Sequence, residues 1–230
     1  MLAILSDIHG NIEALEAVLA DIDRRPIDEI YCLGDIIGYG PNPAECVSHS
    51  RNFQLCLKGN WDQLVSMPNP EIELKHEHLR IQHGWSRTQL SVEQLTFLSE
   101  LKTHHNQNGM TFAHGSPRDY VNEYVFPEVV YECSLLDELF AGFDEMFICG
   151  HTHIPGVIQQ YEFLEPTTID FRFVPNKKPA IINVGSVGQS RDGDPRACYT
   201  IFDGSSFEFI RIEFDWDLTK RKIDDLNWPG

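Results

Sequence analysis

Short apolar runs, each closing on a polar loop, recur through the first two-thirds of the chain. MLAIL (1–5), EIYCL (29–33), FQLCL (53–57), MTFAH after Gly109 and EMFICG (145–150) have the length and composition of buried strands. Between the first two, Ile12, Leu15, Ala17, Val18, Leu19 and Ile22 fall at helical spacing. Asn11 is placed to cap that helix and Pro26 lies beyond its end. Pro43 suits the first turn of a short helix over 43–50. Residues 71–101 predict two further helices, the second starting at Ser91 with Val92, Leu95 and Leu98 on one face, and 128–140 predicts another. Strands alternating with helices imply right-handed crossovers, a largely parallel arrangement, and loops gathered at the strands' carboxyl ends.

Beyond 155 the pattern changes to runs such as GVIQQYEF, IDFRFV, AIINVG, ACYTIFDG and SFEFIRIEF bounded by Pro, Gly, Asn and Asp, which predict mostly antiparallel strands. DGSS between TIF and FEF is a hairpin signal, and 216–226 predicts a closing helix. The expected architecture is α/β, two mixed sheets face to face with helices outside, in a single domain over residues 1–230.

Charge narrows the partners. Eighteen Lys and Arg against 35 Asp and Glu leave a formal net charge of −17, which argues against an extended surface that neutralises nucleic-acid phosphates. A metal-bearing site is the exception, because bound cations dominate their own neighbourhood. The opening MLAILSDIHG has too short an apolar start for a signal peptide or a membrane span, so a cytoplasmic protein without membrane attachment is expected. The six cysteines, at 32, 46, 56, 133, 149 and 198, show no C-x-x-C pairing and are read as reduced thiols, mostly in the core. Nothing in the sequence specifies an oligomeric state.

The candidate chemistry lies on the loops. Five of them follow an apolar strand and open with a metal-capable residue: Asp7 and His9, Asp35, Asn60, His114, and His151 with His153. On extended backbone an i, i+2 pair points to one side, so a single loop can offer two ligands. Gly34, Gly59 and Gly150 are expected to let the backbone turn sharply beside an ion. Each residue alone has an ordinary explanation: Asp7 as a cap for the 11–24 helix, Asp35 as a turn stabiliser, His114 as a hydrogen-bonded core histidine. Together they form a set that suits two borderline divalent ions (Mn, Fe, Zn or Ni, with Mn favoured) better than Ca or a thiolate site. Seven ligands exceed one tetrahedral ion but fit a pair roughly 3.5–4 Å apart, with Asp35 as the bridging carboxylate. The remaining histidines, at 49, 76, 78, 83, 104 and 105, are read as surface or internally satisfied groups.

D-x-H at 7–9, G-D at 34–35, G-N at 59–60, His114 and G-H-x-H at 150–153 resemble the calcineurin-like metallophosphoesterase superfamily. The 24 residues between His9 and Gly34 and the 23 between Asp35 and Gly59 are similar to that family's spacing. HGSPRDYVNEY (114–124) and NVGSVGQSRDGDPRACYTIFDG (183–204) are similar to a bacterial and archaeal subgroup. The resemblance implies a four-layer α/β/β/α sandwich. It also implies Asp7, His9 and His153 on one metal, Asn60, His114 and His151 on the other, and Asp35 bridging.

The implied activity is metal-dependent hydrolysis of phosphate esters by a hydroxide activated between the two metals, on a small phosphate-ester or nucleotide substrate. Asp35, Asn60, Asp62, Arg118 and Arg191 are the catalytic candidates, the arginines as partners for developing charge. One departure bears on substrate choice. Where the family usually has His after G-N, this chain has Trp61, so Asp62 lacks its usual imidazole partner. An indole cannot shuttle protons near neutral pH, which predicts a preference for phosphodiesters or activated esters. The alternatives are a phosphomonoesterase, including phosphoprotein phosphatase or dinucleoside polyphosphate hydrolase activity, and a catalytically silent metal-binding scaffold.

Overall fold

The structure, a computed structural model, describes residues 1–67, 77–166 and 171–228. The chain starts with β1 (Leu2–Leu5), α1 (Ile12–Ile22), β2 (Glu29–Cys32), α2 (Pro43–Ser50), β3 (Leu55–Cys56) and α3 (Asn60–Ser66). Next come α4 (Glu77–Thr88), α5 (Val92–Glu100), β4 (His104–Gln107), β5 (Met110–Ala113), a 3-10 turn at Pro127–Tyr131, α6 (Cys133–Phe140) and β6 (Met146–Cys149). The remainder is β7 (Gly156–Gln159), β8 (Glu162–Leu164), β9 (Arg172–Phe173), β10 (Ala180–Asn183), β11 (Ala197–Phe202), β12 (Phe207–Ile212) and α7 (Trp216–Asp225).

The strands form two six-stranded sheets, ordered β3-β2-β1-β11-β12-β9 and β4-β5-β6-β10-β7-β8. Both are mixed: β1, β2 and β3 are parallel, as are β5, β6 and β10, while every other neighbouring pair of strands is antiparallel. Period-two alternation sorts the side chains into layers. Ile4 and Leu33 of the first sheet meet Phe112, Ile148 and Ile182 of the second in the central layer. Leu5 and Tyr199, on the opposite face of the first sheet, pack against Leu15 and Val18 of α1 and Val47 of α2. Phe147 and Ile181, on the outer face of the second, pack against Leu136 and Leu139 of α6. This is the expected sandwich of two mixed sheets between helices.

Three local details differ from the sequence reading. Helix α3 was not anticipated; Gly59 caps it, and the Asp62 carboxylate accepts the Gly59 N–H at 3.0 Å. A β4–β5 hairpin turns on Asn108 and Gly109, with φ of 51° and 77°. That Asn-Gly pair is itself a type I′ hairpin signal. The predicted helix over 128–140 divides into the 3-10 turn and α6. Helix α4 starts at Glu77, and the predicted start at 71–76, with His76, lies outside the described residues. Asn11 caps α1 as expected, accepting from the Ala14 N–H at 3.1 Å, so Asp7 is free of that role. His83 is the satisfied kind, buried with Nε2 3.2 Å from the Leu64 carbonyl. The cysteines are unpaired, and Cys133 is exposed rather than in the core. Among the described residues no helix is long and apolar enough to cross a membrane.

One polar link locks α1 onto the first sheet. The Tyr199 hydroxyl donates to Asp21 at 2.7 Å, and Arg25 and Arg24 reach the same carboxylate at 2.7 and 3.2 Å. Burial pushes the Asp21 pKa up, but Tyr199 and Arg25 outweigh it and the net direction is down. A carboxyl lowered by folding contributes stability above its unfolded pKa and loses it as pH falls through the folded value. Tyr199→Phe is expected to lower unfolding free energy by about 1.5–3 kcal/mol at pH 7. In urea titrations the deficit narrows as Asp21 protonates, and equal stability at pH 7 would contradict the assignment.

Candidate metal centre

All five predicted loops leave the carboxyl ends of parallel strands and converge where the two sheets meet. Asp7 and His9 follow β1, Asp35 follows β2, Asn60 opens α3 after β3, His114 follows β5, and His151 and His153 follow β6. The extended geometry expected for the i, i+2 pairs is not what brings them together. Asp7, His9, Asp35, His151 and His153 are all left-handed, with φ of 55°, 50°, 53°, 68° and 61°. Such a conformation is uncommon away from glycine and is held only where surrounding contacts over-determine it. Here the β1 and β2 loops zip together: Asp7 N donates to Gly34 O at 3.0 Å, His9 N to Asp35 O at 2.9 Å, and Gly10 N to Ile36 O at 3.0 Å.

The donor atoms form two buried groups, Asp7, His9 and His153, and Asp35, His114 and His151, each within 4.8 Å of one another. His153 Nε2 lies 3.0 Å from His9 Nε2 and 3.1 Å from Asp7 Oδ1. His114 Nε2 lies 3.0 Å from His151 Nδ1, 3.4 Å from Asp35 Oδ2 and 3.2 Å from Asn60 Oδ1, which adds the amide to the second group. Ligands about 2.1 Å from a common ion are separated by about 3.0–3.4 Å, so these spacings are polyhedron edges. Asp35 Oδ2 also faces the first group, 3.7 Å from His9 Nε2.

Backbone carbonyls set which ring nitrogen faces inward. Ile37 O takes His9 Nδ1 at 3.2 Å, Gln189 O takes His153 Nδ1, and Asn122 O takes His151 Nε2 at 3.1 Å. A carbonyl only accepts, so each of these nitrogens carries the proton and the opposite lone pair is turned to the site. His114 is the exception, its Nδ1 lacking a partner. Asp7 Oδ1 is buried without a hydrogen-bond partner in the middle of the set. An orphaned carboxylate oxygen surrounded by imidazole lone pairs is what a cation resolves.

The sequence profile of the Calcineurin-like phosphoesterase superfamily domain matches residues 1–206. This chain belongs to that superfamily. It is 38% identical over 233 residues to the uncharacterised protein MJ0912 of Methanocaldococcus jannaschii, covering 97% of this chain and 91% of that one. A metallophosphoesterase from Sphaerobacter thermophilus superposes with a TM-score of 0.87 at 33% identity, covering 100% of this chain and 94% of the other. The hypothetical protein PH1004 of Pyrococcus horikoshii OT3, at 20% identity and a TM-score of 0.76 over 100% and 95% of the two chains, shares the fold. The paired donor groups agree with the dinuclear centre of a calcineurin-like phosphoesterase.

Glycines make room for the donors more than they turn the chain. Gly34 alone of the three singled out is left-handed, with φ of 119°. A Cβ on Gly59 would sit 2.1 Å from Asp35 Oδ1, and one on Gly150 would sit 2.1 Å from Ser6 Oγ and 2.5 Å from Asp7 Oδ2. Their value is the close approach of backbone to a carboxylate.

Burial and mutual attraction set the charges. For Asp7 and Asp35 burial raises the pKa, but the neighbouring histidines outweigh it and hold both carboxyls below their ordinary value. Burial lowers His114, yet Asp35 and Asp7 reverse this and push it up to about 9. His151 is pushed down to about 4 by burial and by His114. Asp62, buried and next to Asp35, is pushed up to about 7. Its oxygens accept from the Gly59 N–H at 3.0 Å and from the Ile36 and Ile37 N–H groups at 3.0 and 3.3 Å, tying the Asp35 loop to the start of α3.

The other candidates divide. Trp61 is buried and packs its ring against Tyr39, centroids 4.8 Å apart, as an apolar wall behind the site, while its N–H holds Asp35 Oδ1 at 2.8 Å. Arg191 is at the mouth, its guanidinium 5.8 Å from the centre of the Tyr39 ring, which in turn lies 4.7 Å from His9. Arg118 is engaged elsewhere, paired to Glu123 and at 2.7 Å to Glu138. Sequence reasoning missed Tyr124, stacked on the His151 ring at 3.6 Å, and Asn183, which donates to Gly150 O at 2.6 Å and Thr152 Oγ1 at 2.9 Å. Both lie in the two segments that resemble the subgroup. The Ile37, Asn122 and Gln189 carbonyls have no side-chain signature.

Gly59→Ala is expected to displace Asp35 and weaken metal binding by about 10–100-fold, the range for a lost supporting contact. Metal stoichiometry after dialysis, beside an unchanged circular dichroism spectrum, checks it; full metal content would count against the packing argument.

Proposed function

We propose that this chain hydrolyses small phosphate esters at a centre of two divalent cations, manganese favoured, and prefers phosphodiesters or esters with activated leaving groups. We place it in the cytoplasm, acting on a small phosphate ester or nucleotide. Asp7, His9 and His153 would hold one cation, Asn60, His114 and His151 the other, with Asp35 between them. Bound there, the cations supply Lewis acidity toward phosphoryl oxygens and water whose pKa falls from about 15.7 toward about 7.

The observation that carries the reading is the unpartnered Asp7 Oδ1, buried among six further donors whose protonated nitrogens are mostly turned outward onto carbonyls. A structural histidine cluster has no reason to aim its lone pairs at a common point.

The protein's own groups then have distinct roles. Asp62 is a positioning residue, because its oxygens are consumed by three backbone N–H groups. Arg191 donates to the neutral Gln189 Oε1 at 2.9 Å and forms no ion pair within 4 Å among the described residues, so it would meet a phosphoryl oxygen as a planar, always-charged donor. Arg118 orders the 114–124 loop through its pairs with Glu123 and Glu138 instead of touching substrate. Trp61 supports the diester preference: the indole walls the site and donates no proton to a departing alkoxide, so leaving groups that depart unprotonated are favoured.

Chelation is expected to abolish turnover of bis(4-nitrophenyl) phosphate, and added manganese to restore it; activity unaffected by chelation would exclude the metal reading. Trp61→His should raise turnover of alkyl monophosphates relative to diesters by about 10²-fold or more, the scale of general acid assistance. An unchanged ratio of kcat/KM values would remove the link between Trp61 and leaving-group choice.

A further inference from the structure

Beside the metal centre, a cavity of about 290 Å³ lies between the 38–40 loop, the 188–195 loop and α7. It shares His9 with the donor set, and Tyr39, which packs on the His9 ring, lines it next to that junction. The far wall is Phe214, Trp216 and Ile223. Trp216 is 53% exposed, so the cavity opens to solvent beside a large apolar ring. Gln189 and Ser190 supply polar groups along one side. The volume is at the lower end for small-molecule sites, enough for one ring system and its linker and too small for two nucleosides.

From these features we propose that the cavity receives the aromatic organic group, aryl or nucleobase, of the phosphate ester whose phosphoryl group sits at the metal centre. The proposal rests on the phosphoesterase reading. Its physical basis is the apolar lining: Tyr39 beside the metal donors together with Phe214, Trp216 and Ile223 would bury an aromatic guest, and a methyl-sized group would leave that lining wet. Trp216 and Ile223 lie on α7, outside the donor set, so they determine which ester binds and leave the reacting atoms alone.

The test is calorimetric titration of the manganese-loaded protein with phenylphosphonate and methylphosphonate, which keep the phosphoryl charge and resist hydrolysis. Phenylphosphonate is expected to bind about tenfold more tightly, a preference of about 1.4 kcal/mol. Trp216→Ala, which removes the outer wall, and Ile223→Trp, which fills the cavity, should each bring the two affinities within about twofold while methylphosphonate binding is unchanged. Equal affinities in the unaltered protein, or a preference that survives both substitutions, would overturn the proposal. Loss of the phosphoesterase reading looks different: methylphosphonate and inorganic phosphate then fail to bind. Adenosine alone, carrying no phosphoryl group, reads the cavity independently of the metal. Saturable binding lost in Ile223→Trp supports the assignment, binding that survives Ile223→Trp refutes it, and no binding excludes a nucleobase as the guest.

Discussion

Asp7 is the point on which the two sheets are joined chemically. Its N–H donates to Gly34 O after β2, its Oδ2 accepts from the His151 N–H after β6, and its carbonyl accepts from Ser186 Oγ and Gly188 N after β10. One residue at the end of β1 therefore binds loops from both sheets, and the oxygen it leaves unpaired faces the other donors. A buried carboxylate is costly unless paired. A cation shared with imidazoles whose outer nitrogens are fixed by carbonyls would offset that cost, and the left-handed backbone at five donors is the conformational strain of aiming them. The site thus draws on the stability of the sandwich around it.

Most of this layout was readable in advance because strand burial and ligand chemistry leave marks on side chains. Apolar runs ending in Asp, Asn or His located the five loops, and Asn11 and Ser91 marked helix starts that the structure realises as side-chain caps. What escaped was carried by backbone. No residue type reports that the Ile37, Asn122 or Gln189 carbonyl will orient a histidine. Gly59 looks like a turn residue in sequence, and its role of leaving room for Asp35 Oδ1 exists only once α3 has been placed against the β2 loop. The β4–β5 hairpin is a different failure, since Asn108-Gly109 announced it while polar His104 to Gln107 disguised the strand. The cavity beside His9 was illegible because its walls come from Tyr39, Pro195 and α7, segments far apart in the chain.

Trp61 shows how one substitution is absorbed. The backbone task at this position, donation from N–H to Asp35 Oδ1, is independent of side-chain identity and persists. The indole itself joins the apolar cluster that backs α1, α2 and α5, and Tyr39 packs edge-on against it. Asp62, without an imidazole partner, spends its oxygens on backbone N–H groups that hold the Asp35 and Asn60 loops together. The geometry of the donors thus does not depend on which side chain stands at this position.

A separation of scales reconciles a net charge of −17 with the anionic substrate proposed above. At physiological ionic strength exposed charges are screened over about 8 Å, so the acidic surface governs solubility and repels polyanions approaching broadly. Inside the donor set that average field would be irrelevant, because two divalent cations held against Asp7 and Asp35 would leave a local positive excess. Arg191 at the mouth has the same sign as that excess, its guanidinium resting on the Tyr39 ring. The proposed small phosphate ester would meet little of that acidic surface before reaching the donor set, whereas an extended nucleic acid would have to lie along it. Under the proposed function, selectivity for small esters would follow from where the charges sit, before any contact with the organic group is counted.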